Sequence, residues 1–382
     1  MDFRLSTVFT SLRILHISSA RALGGGERHL VDLALALAGR GHDVHVALRP
    51  GSLLSEQLAA LPAQNLIRLP LRNALDIRSA MELTRILRER RIEIVHAHMA
   101  RDYPLAALAT RRYRNARLII TRHVLFPLKK IHALTLSHAA RVIAVSEPVA
   151  RSLNKQKIFP SRKISVVPNG IDLEKFDAMR RDAARASVCH RLQIDERRLL
   201  VGTLGEINRL KGQEEFLRAA AIIAAQFEEA EFIIAGADSS QSGEQSAALE
   251  RLIIELNLSG HVHLLGWIDD VSPLVKALDV FVSASRTESF GLAMVEAMAS
   301  GVAVVATATE GARSIIEDDV TGKLVSIGDV EELAASVVEL LSNTEERNRL
   351  SSLALAAVLE RFSLERMVAE TEQIYLAAIA DS

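Results

Sequence analysis

Short apolar runs alternate with longer amphipathic stretches along most of the chain. Residues 14–17 read as a strand, and 27–39 as a helix with Leu30, Leu33, Ala34 and Leu37 at helical spacing. Residues 44–48 and 66–69 read as strands, and a helix over 77–90 leads to a strand at 94–96. Strands at 118–121, 141–145 and 164–167 continue the series. Strands alternating with helices predict a parallel sheet covered on both faces.

Near Pro168 the pattern breaks, and 168–195, with PNGID and then the charged helical stretch MRRDAARASVCHRL, reads as the hinge between domains. A second series of strands follows at 199–203, 231–235, 262–264, 280–283 and 302–306. Residues 237–246 form a polar loop expected to be mobile. From Asp329 to about Ala380 the chain reads as helical, turning at Arg361-Phe362-Ser363, where Ser363 is placed to cap the last helix. The prediction is an α/β chain of two doubly wound Rossmann-like parallel-sheet domains facing across a cleft, with ligands at the carboxyl ends of the strands. The first covers 1–175 and is joined by the last helix, about 363–382; the second covers 176–362.

The length of 382 residues agrees with two cores rather than one. No apolar run approaches the ~18 residues of a membrane span, and the scattered charges of the N-terminus argue against a signal peptide. The single cysteine, Cys189, excludes an intrachain disulfide and a cysteine metal site; it reads as a packing residue, and a reducing cytoplasm fits. The net charge of −1 hides an asymmetry: residues 1–180 carry 29 Lys and Arg against 14 Asp and Glu, and the remainder 17 against 33. A basic first half suits an anionic partner such as the inner face of a membrane, or it is simply a set of solvated helix faces. Its densest runs are Arg111, Arg112, Arg114, Arg117, Arg122, Lys129 and Lys130, and Arg85, Arg88, Arg90 and Arg91. Few aromatics and no recognisable nucleic-acid module argue against nucleic acid.

Three loops carry candidate chemistry. Gly24-Gly25-Gly26-Glu27 follows the first strand and opens the first helix, so that backbone amides lie open to a ligand. Glu206-Ile207-Asn208-Arg209-Leu210-Lys211-Gly212 follows the first strand of the second series, where Arg209 and Lys211 are placed to meet a diphosphate without a metal. In Arg286–Gly301, RTESFGLAMVEAMASG, Glu288 and Glu296 flank the start of a helix whose first amides, at 290–292, form an anion site. His96, His98 and His123 stand at strand ends, but their spacing shows no metal-ligand cluster; His123 is the one singled out. No Asp-x-Asp pair for a metal-bound nucleotide occurs.

The segments GGGERHLVDLALALAGRGHDVHV, VIAVSEPV, VVPNGID and VHLLGWIDDVSPLVKALDVFVSASRTESFGLAMVEAMASGVAVVAT, in this order, resemble glycosyltransferase family 4 over nearly the whole chain. The resemblance implies the GT-B fold, sugar transfer from a nucleotide diphosphate sugar with retention, and no required cofactor or metal. It implies that Gly25 and Gly26 face the donor, that Lys211 with Arg209 holds the diphosphate, and that Glu288 binds donor-sugar hydroxyls. Ser289, Phe290, Gly291 and Leu292 would sit at the sugar–phosphate junction, with Glu296 on the ribose, Trp267 in the base-pocket segment and His123 by the reaction centre. The expected acceptor is a glycan or lipid-linked glycan of cell-surface polysaccharide or lipopolysaccharide, handled by a cytoplasmic or peripheral membrane protein. One departure stands out: Glu206 follows Gly205 where the family has arginine. It keeps a weakened nucleotide-sugar-binding protein as a rival reading, beside another GT-B enzyme such as an epimerase.

Overall fold

The computed structural model describes residues 11–381 apart from 22, 239 and 241. Residues 1–10, on which the reading of the N-terminus largely rests, lie outside the described residues, as do Ser239 and Gln241 of the polar loop. The chain forms two compact units, one of Met1–Val167 with Leu364–Ser382 and one of Pro168–Ser363. No helix among the described residues is long and apolar enough to cross a membrane.

The first unit holds seven parallel strands: β1 (Arg13–Ser18), β2 (Asp43–Leu48), β3 (Leu66–Arg68), β4 (Ile94–Ala97), β5 (Arg117–Arg122), β6 (Arg141–Ala144) and β7 (Ile164–Val166). Their order is β3-β2-β1-β4-β5-β6-β7. Strands such as RILHIS and IVHA are buried almost throughout because helices cover both faces. The helix Gly25–Gly39 buries Leu30, Leu33, Ala34 and Leu37 as the spacing predicts, and begins at Gly25, two residues earlier than the pattern suggests. The last helix, Leu364–Ala380, completes this core with Met367, Val368, Tyr375 and Ala378.

The second unit holds β8 (Leu199–Leu204), β9 (Ala230–Ala235), β10 (Val262–Gly266), β11 (Val280–Ser283), β12 (Ala303–Thr307) and β13 (Lys323–Val325), in the order β10-β9-β8-β11-β12-β13. β13, three residues long, is not among the strands read from the sequence. Within the stretch read as a hinge, the charged helical segment is the helix Arg181–Leu192, which packs as part of this unit. Its Ala184, Val188 and Cys189 are buried, and Arg181 and Arg185 both bind the buried Asp279 carboxylate, at 2.8 and 3.1 Å. The apolar residues on one side and the shared carboxylate make it a packed element. Asp238 accepts from the amides of Ser240 and Ser246, each at 2.7 Å, and ties the described part of the polar loop to the start of the helix Glu244–Glu255.

Candidate active site

In each sheet the strand order reverses direction once, between β1 and β4 and between β8 and β11. Ligands of doubly wound sheets bind outside the carboxyl ends of the strands at such reversals. The glycine loop leaves β1, and His96 and His98 close β4; the loop 205–212 leaves β8, and Arg286–Gly291 leaves β11.

In the second unit the two loops are locked together. Gly212 has φ of +70°, and a Cβ on it would lie 1.9 Å from the Ala284 carbonyl oxygen. Only glycine lets the loop after β8 press its backbone onto the end of β11. The amide of Arg286 donates to the Leu210 carbonyl at 2.8 Å, and the Arg286 Nε donates to Glu215 Oε1 at 2.7 Å. This docking brings Lys211 Nζ to 2.7 Å from Glu288 Oε2. From the other side the Gly311 amide donates to the Glu288 carbonyl at 3.0 Å, which fixes the carboxylate's base.

Helix Leu292–Ala299 starts directly after Gly291, whose φ is +110°, and no N-cap side chain occupies its first amides. Those amides are donors for an anion. The Phe290 ring is core, packed edge-on against Phe362 at 5.6 Å, so only its backbone is available to a ligand. Glu296 is buried on the helix, and Ser289 and Leu292 are partly exposed beside it. Arg209 is exposed with no ion pair among the described residues, while the neighbouring Glu206 carboxylate accepts from Asn208 Nδ2 at 3.2 Å. Trp267 stands apart. It follows β10, two strands or ~10 Å from β8, and is half exposed with its indole N–H donating to Asp269 at 2.8 Å.

In the first unit the Glu27 carboxylate lies beside the start of the helix Gly25–Gly39, where a Cβ on Gly24 would be 2.9 Å from its Oε2, and burial pushes its pKa up. Gly25 faces open space, and a Cβ on Gly26 would lie 3.4 Å from the His123 ring. His123 belongs to a group that sequence spacing did not reveal. His16 from β1, His96 and His98 at the end of β4, His29 from the first helix and His123 beyond β5 come together, with nitrogens of His16, His96 and His98, and of His29, His98 and His123, within 4.8 Å of one another. Spacing along the chain gives no sign of this grouping. Spacing failed because four separate elements supply the rings.

The two triads differ in chemistry. His96 uses both nitrogens, on the Tyr375 hydroxyl and on Thr121 Oγ1, each at 2.6 Å, and His16 Nδ1 lies 3.0 Å from His98 Nε2. No hydrogen bond joins His96 to the other two rings, and His16 Nε2 is buried without a partner. In the second triad His98 Nδ1 and His123 Nε2 are likewise buried without a hydrogen-bond partner, and these are the nitrogens that a metal or a polar ligand would take. Burial, then the neighbouring imidazoles, push His96 and His98 well below the usual range and His16 down to about 3; burial, His29 and Arg122 do the same to His123. All four are neutral at pH 7.

Known proteins give this geometry a context. Residues 189–355 match the family model described as Glycosyl transferases group 1, and residues 23–175 match Glycosyltransferase Family 4. The D-inositol 3-phosphate glycosyltransferase of Salinispora tropica is 28% identical over 313 residues, 76% of this chain and 64% of that protein, so the match spans less than two thirds of that relative. The N-acetyl-alpha-D-glucosaminyl L-malate synthase of Bacillus anthracis is 23% identical over 380 residues, 94% of this chain and 96% of that protein. Among solved structures, a glycosyltransferase from Rickettsia africae has a TM-score of 0.87 at 22% identity, covering 98% of this chain and 100% of that one. Anabaena HepE in complex with UDP has a TM-score of 0.84 at 20% identity, covering 96% and 100%. The fold is GT-B, and the chain belongs to glycosyltransferase family 4.

Proposed function

We propose that this transferase moves a hexose-type sugar from a nucleotide diphosphate sugar to a hydroxyl of a glycan or lipid-linked acceptor, with retention and without a required metal. The observation that carries the reading is the Lys211–Glu288 pair, 2.7 Å apart beside the uncapped helix start at Gly291. One cation, one carboxylate and free amides together match a phosphate joined to a polyhydroxylated ring. UDP and UDP-glucose complexes of the Anabaena structure support a nucleotide-sugar donor.

In this reading Lys211, Arg209 and the amides at 290–292 hold the diphosphate and stabilise the charge that grows on it as its bond to the sugar C1 breaks. The acceptor oxygen forms the new bond on the same face, and its proton passes to the departing phosphate oxygen. Glu288 holds sugar hydroxyls, Glu296 the ribose and Trp267 the segment around the base. In the first unit, Gly25 and Gly26 leave room for the substrate, and neutral His123 offers a hydrogen bond without repelling a cationic transition state. The basic first half favours a lipid-linked or surface-glycan acceptor at the inner face of a membrane. The test is a panel of nucleotide sugars read by thermal shift, followed by donor-dependent release of nucleoside diphosphate on adding acceptor. A chain that binds a donor yet releases none with any acceptor is the weakened binding protein instead.

A further inference from the structure

Arg117 opens β5 and Arg141 opens β6, at the ends of the strands remote from the glycine loop and His123. Beside them stand Arg111 and Arg114, from the end of the helix Tyr103–Arg112 and the turn after it, and Arg162 and Lys163, from the turn before β7. These six cations line one concavity of about 690 Å³, in which Asp381 is the single carboxylate among the described residues.

Lys163 and Arg111 are braced by neutral groups, which orient them without cancelling their charge. Lys163 Nζ donates to the Ala139 carbonyl at 2.6 Å; Arg111 donates to the Leu134 carbonyl at 2.6 Å and to His138 Nδ1 at 3.1 Å. Asp381 pairs with Arg141, but its side chain is 63% exposed, where solvent screens the attraction. The crowding is felt locally: burial, with Arg162 and Arg141, pushes the Lys163 ammonium down, and burial, with Arg111 and Lys163, pushes His138 down to about 4. By contrast, in the neighbouring arginine run Arg85 is held between Glu82 and Glu89.

We propose that this concavity is a second anion site, separate from the donor residues, for a phosphate-bearing ligand with two or more negative charges. Guanidinium groups match phosphate oxygens in pairs, the volume suits a small molecule or a headgroup, and a single carboxylate would leave most of the excess charge unmet. A soluble phosphorylated compound and an anionic phospholipid headgroup share this chemistry.

Two probes separate them: inorganic pyrophosphate by calorimetry, and phosphatidylglycerol against phosphatidylcholine vesicles by co-sedimentation. Both are used on the full chain carrying Lys211→Gln and Arg209→Gln, so that the donor residues contribute less, and the Arg114/Arg162 change reads the second site against that background. Adding Arg114→Gln with Arg162→Gln, both exposed, is expected to weaken binding at least fivefold. The same charge change at Arg85 and Arg88 leaves binding as it was. A loss confined to pyrophosphate assigns a soluble ligand, a loss confined to phosphatidylglycerol assigns a headgroup, and a loss of both leaves the site open to either. The proposal is overturned if neither probe binds, if the Arg114/Arg162 change alters neither, or if the Arg85/Arg88 change costs as much. The readout is binding alone, so this result and the outcome of the transfer assay are independent.

Discussion

The Lys211 ammonium and the Glu288 carboxylate, far apart in the chain, meet at 2.7 Å at the carboxyl end of the second sheet. As a structural ion pair it would contribute only ~0–1 kcal/mol. As a donor-binding pair, each half has a separate partner in the substrate. Glu288→Ala and Lys211→Ala are each expected to lower kcat/KM by roughly 10²-fold or more, with Tm moving by only a few degrees. Near-normal transfer by Glu288→Ala would remove the assignment.

Arg209 extends unpaired from the same loop that carries Glu206. If Arg209 supplies the charge that Glu206 takes away, Arg209→Ala weakens donor binding about tenfold, while Glu206→Ala leaves it unchanged or tightens it, since like charges repel. Calorimetry with the donor found in the thermal-shift panel measures both; an unaltered affinity in Arg209→Ala would sink the compensation.

Two glycines are expected to respond in opposite ways. Gly212→Ala drives a methyl to 1.9 Å from a backbone oxygen at positive φ, and should cost more than ~2 kcal/mol or prevent folding. Gly26→Ala sits in a helix, 3.4 Å from the His123 ring. It should hold or raise Tm through the better helix propensity, yet lower turnover by crowding the ring. Denaturant melts and kinetics on both variants distinguish the two roles.

Stability should fall on mild acidification. His16, His96, His98 and His123 stay neutral when folded but take a proton near pH 6.5 when unfolded. Each therefore costs up to ~1.4 kcal/mol per pH unit as pH drops below 6.5, continuing for His16 to about pH 3. Asp102 works the other way: its folded pKa is pushed up to about 6 by burial, so it gains stability as pH falls from 6 towards 3.8. Glu27 shifts in the same sense. Four histidines outweigh two carboxyls, and Tm should drop clearly between pH 7 and 5; a flat profile would contradict neutral burial.

Asp279 is a purely structural test. It is buried, accepts from the Leu200 amide at 2.8 Å and binds both Arg181 and Arg185. Asp279→Ala leaves two guanidinium groups without their carboxylate partner and the Leu200 amide without its acceptor, and is expected to cost ~3–5 kcal/mol. Donor affinity of the folded fraction should not change.

Much of this was legible in the sequence because parallel strands buried on both faces are continuous apolar runs, and the covering helices repeat every three to four residues. Lys211 and Glu288 were legible singly, each in a loop after a strand, but their contact depends on Gly212 fitting beneath Ala284. The histidine group was hidden for a related reason: its rings come from β1, the first helix, and the ends of β4 and β5. No spacing along one element encodes such a meeting. The Arg181–Leu192 helix was legible as a charged helical stretch, but its packing was not, because the carboxylate that binds Arg181 and Arg185 lies almost a hundred residues later.

Tyr375 donates to or accepts from His96 inside the first unit, and its helix supplies part of that unit's core. The ribosome therefore finishes the seven strands about 200 residues before it makes the helix that seals them. At roughly 5–20 residues per second, this leaves an interval of tens of seconds. During that time the second unit can fold whole, while the first waits with an apolar face and a ring of imidazoles uncovered. The nascent chain is most exposed to chaperones and proteases in that interval.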